Sequence, residues 1–120
     1  MPTNILAHPV EADEINNMRD ALVALAIQID AEADEKKRML LADRYISDGK
    51  QLLQKVENIQ QRYFDVIEIG IEVSGQMQWL YVTAMKAMQD VYDYGLASIH
   101  YKFISDWPEL TQWLKKRKEK

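Results

Sequence analysis

The chain has 120 residues and a mass of 14.0 kDa, with 48% hydrophobic and 28% charged residues. That balance suits one folded domain and argues against collagen-like or disordered character. With no cysteine in the sequence, a disulfide framework, a thiolate nucleophile and a thiolate metal site are all excluded.

The formal charge of −4 is unevenly distributed: residues 11–35 carry eight acids and one arginine, whereas residues 115–120 carry five bases and one acid. A duplex-binding domain needs more extensive positive surface than this, so no nucleic-acid partner is expected. The start MPTNILAHPVEADEIN lacks a basic region followed by an apolar stretch, unlike a secretory signal. The longest apolar run, residues 21–27, is far below the roughly 18 residues of a membrane span. A cytoplasmic protein with no membrane partner is the resulting expectation.

Residues 1–9 read as a flexible arm. The first strong period follows, in Ile15, Met18, Leu22, Leu25 and Ile29. Alternating steps of three and four place these side chains in one stripe of a helix. Acidic residues near its start favour the positive end of a helix beginning around Val10. The stripe lapses at Glu32 and Lys36, where a bend or exposed segment fits the pattern, and resumes in MLLADRYI. Ser47, Asp48 and Gly49 then read as a hairpin turn, because Asp48 can cap a following helix and glycine relaxes the backbone.

A longer 3-4 repeat runs from Leu53 through Val56, Gln60, Tyr63, Ile67, Gly70, Ser74, Met77, Tyr81, Ala84, Met88 and Val91 to Gly95. It predicts a long helix, or two nearly collinear helices, over 50–103, roughly 80 Å long if unbroken, with Gly70, Ser74 and Gly75 marking either close packing or a bend. A strand competes only where Val66, Glu68, Gly70 and Glu72 alternate with Ile67, Ile69, Ile71 and Val73. Near the end, Asp106 stands three residues before Glu109 with Pro108 between them, the spacing of a capping box opening a short helix over 108–116. The basic end at 115–120 suits that helix's negative pole.

These elements predict a single all-α domain over residues 1–120: a long antiparallel helical hairpin or small bundle, with helices over 10–47, 50–103 and 108–116. Two long helices bury only their facing stripes. A second copy is therefore expected to cover Met77, Trp79, Tyr81, Met85 and Met88, Trp79 lying near the outward phase. The function this implies is a self-associating protein–protein interaction or assembly module. A small adaptor, chaperone, or phage or secretion assembly component with a heterologous protein partner would have the same sequence physics.

Chemistry has weaker support. Glu68 with Glu72, and Asp90 with Asp93, sit four and three residues apart, so that each pair can project from neighbouring helical turns toward a divalent cation. This resembles the acidic pairs of all-helical nucleotide pyrophosphohydrolases. The resemblance implies magnesium-dependent nucleotide hydrolysis, with Glu68 or Glu72 positioning a water. Their closely spaced acidic cluster and a clear nucleobase site are missing here, and the four carboxylates fall largely opposite the inward stripe. His8 and His100 have no local metal-ligand pattern around them, and Ser47, Ser74, Ser98 and Ser105 have no nucleophile elbow. Neither a cofactor nor a resident metal is expected.

Overall fold

The computed structural model describes residues 3–70 and 72–118. They form four helices in a small bundle: α1 (Thr3–Ala31), α2 (Glu35–Glu68), α3 (Gly75–Asp106) and α4 (Pro108–Lys118). Among the described residues there is no strand. The alternating stretch over 66–73 resolves into the last turn of α2, a turn at Ile69 and Gly70, and an extended link into α3. Met1, Pro2, Ile71, Glu119 and Lys120 lie outside the described residues, as do the side chains of the arm, His8 included.

Long-range contacts set the helix directions. α1 and α2 run antiparallel, with Arg62 of α2 paired to Glu11 of α1. α3 returns antiparallel to α2, stacking Tyr81 on Tyr63 with ring centroids 4.0 Å apart near one end. Toward the other end, Lys102 lies 2.9 Å from Asp43. α1 and α3 are therefore parallel, joined by Arg19 Nη1 donating to Asp90 at 3.1 Å. α4 folds back along α2: Trp107 lies against Gly49, and Trp113 Nε1 donates to Gln60 Oε1 at 3.0 Å.

The core keeps the expected α1 stripe and Leu53, Val56, Ala84, Met88 and Val91 of the longer repeat, whereas Ile67 of that repeat is exposed and Tyr45, Leu52, Ile59 and Leu80 join from outside it. Ile15, Leu22, Leu25 and Ile29 of α1 meet Tyr45, Leu52, Val56 and Ile59 of α2 and Leu80, Ala84, Met88 and Val91 of α3 in one buried cluster. Trp107, Leu110, Trp113 and Leu114 close it from α4. Each large aliphatic side chain removed from water contributes about 1.5–3 kcal/mol.

Three boundaries differ from expectation. First, Ser47, Asp48 and Gly49 lie inside α2 instead of in a turn. Asp48 pairs with Arg44 one turn earlier, and Gly49 is buried beneath Trp107. The chain reverses instead at Glu32–Asp34, where the apolar stripe lapses and the Glu32 amide donates to Ile29. α1 also begins before Val10, at Thr3.

Second, the span 50–103, expected as one long helix or two nearly collinear ones, is divided between two antiparallel helices. Gly70 has φ +78°, a conformation open to glycine at little cost, and Ser74 Oγ accepts the Met77 amide at 3.1 Å, opening α3 as an N-cap. The break keeps the molecule short: the 34 residues of α2 span about 51 Å, close to the longest dimension of 53 Å.

Third, Asp106 does not form the capping box with Glu109. It ends α3, and its carboxylate accepts from Lys102 Nζ at 2.8 Å and from Ser105 Oγ at 3.0 Å. Pro108 does open α4, as its missing N–H allows.

Candidate interaction surface

α3 has two unlike faces because one stripe must serve both α1 and α2. Leu80, Ala84, Ala87, Met88 and Val91 point into the bundle and are buried. On the opposite side, Trp79 is 49% exposed and Val82 60% exposed. Three residues apart, they stand on adjacent turns of one helix face. Past them, Val82 and Met85 line a shallow recess of about 410 Å³ together with Tyr81, Lys86, Gln89 and Asp90.

The five residues expected to need a second copy therefore fall into different environments. Met88 is fully buried and Met85 nearly so, both covered within the chain. Tyr81 is half-buried and stacks on Tyr63, while Met77 is half-buried at the start of α3. Trp79 remains on the outer face, joined there by Val82. Further exposed apolar side chains stand at the two ends of the bundle: Ile67 and Ile69 near the α2–α3 link, and Ile27, Met39 and Leu40 near the α1–α2 turn.

The four candidate metal-binding carboxylates are dispersed. Glu68 ends α2 and Glu72 lies in the link, so the helical relation expected between them is interrupted. Asp90 is engaged by Arg19 and, at 3.4 Å, by Lys86, and Asp93 accepts from Gln89 at 3.1 Å. Among the described residues, no three histidine, aspartate or glutamate side chains come together as a metal site. Nor is any helix among them long and apolar enough to cross a membrane.

Two other polar features are set by the packing. A recess of about 570 Å³ between α1 and α2 is lined by Glu11, Glu14, Gln51, Gln54, Lys55 and Asn58 over Ile15 and Ile59. At the opposite end, Arg38 lines a smaller recess beside the break in α3, and its Nε is shielded from water without a hydrogen-bond partner. Spacing alone does not single out Arg38, which sits in a run of bases with Lys36 and Lys37. No family model matches the chain, and comparison with curated proteins and with solved structures returned no significant match.

Proposed function

We propose that the chain is a helical protein–protein interaction module that self-associates through the outer face of α3. The observation that carries this reading is the pairing of Trp79 and Val82 on adjacent exposed turns. A tryptophan presented to solvent beside a β-branched neighbour offers a large, rigid apolar area to a partner, and tryptophan is enriched among the residues that dominate binding energy.

The shape supports the same reading. The radius of gyration is 16.0 Å, against about 13.6 Å for a compact domain of this length. Extents of 53 × 30 × 16 Å describe a slab. A slab covers less of its own apolar surface than a sphere does, and two slabs laid face to face recover that coverage. The acidic α1 and the basic residues beyond Leu114 add complementary charge by which copies can be oriented.

Light scattering coupled to size-exclusion chromatography, over a wide concentration range, tests this proposal. The expected result is a mass approaching twice 14.0 kDa or a higher multiple, reverting to the monomer in Trp79→Ala/Val82→Glu with helicity unchanged. A monomeric mass at every concentration sinks self-association through this face.

A further inference from the structure

Five residues of α3 make up an outward spine. Trp79, Val82, Lys86, Asp93 and Ala97 are all exposed, and at about 100° per residue they fall within about 60° of one another around the helix. The chemistry along this spine is ordered: the apolar pair Trp79 and Val82 comes first, then the base Lys86, then the acid Asp93, then the small Ala97. Neither charge has a close opposite of its own. Among the described residues no base lies within ion-pair distance of Asp93, whose carboxylate accepts from the neutral amide of Gln89 at 3.1 Å. Lys86 reaches Asp90 at 3.4 Å, but Arg19 holds that carboxylate more closely, at 3.1 Å.

This order discriminates between the two ways of laying one α3 on another. A parallel second copy sets Lys86 on Lys86 and Asp93 on Asp93, and like charges so placed disfavour a pairing. An antiparallel copy related by a two-fold axis sets Lys86 on Asp93 and, by symmetry, Asp93 on Lys86. The register that aligns these charges puts the axis between Gln89 and Asp90. Val82 then stands opposite Ala97, because the two pairs share one midpoint in the sequence. The small side chain of Ala97 leaves room there for Val82 and for the indole of Trp79 one turn beyond it.

Resting on the proposal that copies associate through this face, we infer that two α3 helices pack antiparallel about a two-fold axis, with Lys86 of each copy paired to Asp93 of the other and Val82 seated against Ala97. The charge pairs set the orientation, while the apolar residues toward either end supply the area removed from water. A pairing of this kind uses the same face of both copies and closes at the dimer.

Because the sequence has no cysteine, thiols introduced into the full chain report the orientation. In the antiparallel pair the two Val82 positions stand about 22 Å apart along the helices, beyond the reach of a disulfide. Under mild oxidation a mixture of Val82→Cys and Ala97→Cys chains is therefore expected to form the mixed disulfide, with little linkage in either variant alone. Lys86→Glu and Asp93→Lys each weaken the dimer about tenfold on dilution, followed by light scattering, and the two substitutions combined recover it. Circular dichroism checks that every variant keeps its helix content. A dimer in which each single-cysteine variant links to itself as readily as the mixture does overturns the antiparallel pairing and leaves association through this face standing, as does a folded charge-swapped chain that fails to recover. A monomer at every concentration removes both.

Discussion

Gly49 and Trp107 meet face to face: a Cβ placed on Gly49 would stand 2.5 Å from Cη2 and 2.6 Å from Cζ3 of the indole. The absence of a side chain in the middle of α2 lets the start of α4 lie flat on that helix. Trp107, which is 1% exposed, is thereby sealed into the core.

Gly49→Ala sets two effects against each other. Alanine gains about 1 kcal/mol of helix propensity, whereas forcing a methyl into a packed contact costs about 1–3 kcal/mol. Because the obstructing atoms belong to a buried ring, the clash wins and the variant is destabilised by about 1 kcal/mol. Urea unfolding measures this. In a double-mutant cycle with Trp107→Phe, the penalty of the alanine shrinks, since the smaller ring does not reach as far; additive penalties would contradict the contact.

Tyr45 is fully buried and donates its hydroxyl to the Val91 carbonyl at 2.6 Å, tying α2 to α3. Tyr45→Phe removes that bond and leaves the rest of the ring in place, for a loss of about 1 kcal/mol. Burial raises the phenol's pKa well above the ordinary 10.0, partly offset by a hydrogen bond from the Gly95 backbone. A raised acid holds its proton longer in the folded chain. Its contribution to stability is therefore complete below pH 10.0 and is lost above it, as the unfolded chain ionises and then as the folded pKa is passed. Ultraviolet titration of the phenols should show one tyrosine that stays protonated until the protein unfolds.

At Gly70 the same substitution fails for another reason. No atom crowds the position, but φ is +78°. Gly70→Ala costs about 1 kcal/mol through backbone strain alone, and Gly70→Asn costs less. Equal stabilities for the two variants in chemical denaturation would contradict this.

Lys102 bridges Asp106 and Asp43, and the hydrogen bond from Lys102, seconded by Ser105, lowers the Asp106 carboxyl pKa from 3.8. A lowered acid contributes stability that is present above pH 3.8 and is lost as pH falls through the depressed folded value. Asp106→Asn should make the acid limb of the stability–pH curve shallower while leaving the slope near neutrality unchanged. An unchanged acid limb would show that the bridge contributes nothing in solution.

The outward phase of Trp79 and the inward phase of Ile15, Leu22, Leu25 and Ile29 were legible in the residue order, because helical phase is a local property carried by spacing. The cover over Met85 and Met88 was not, since it depends on which helix lies alongside.

By itself the sequence determined an all-α chain, the buried stripe of α1, a short last helix opened by Pro108, and the absence of thiol chemistry. All of these follow from period, propensity and composition. The sequence flagged Glu32, Lys36 and Gly70 as places for a bend, and tertiary structure decided that the chain turns there and not at Ser47, Asp48 and Gly49. Gly49 has the composition of a turn but lies within a helix, where Trp107 occupies the space its side chain would fill. Gly70 breaks a 3-4 repeat that otherwise continues, since a 34-residue helix already spans the bundle and α3 must turn back to bury its stripe.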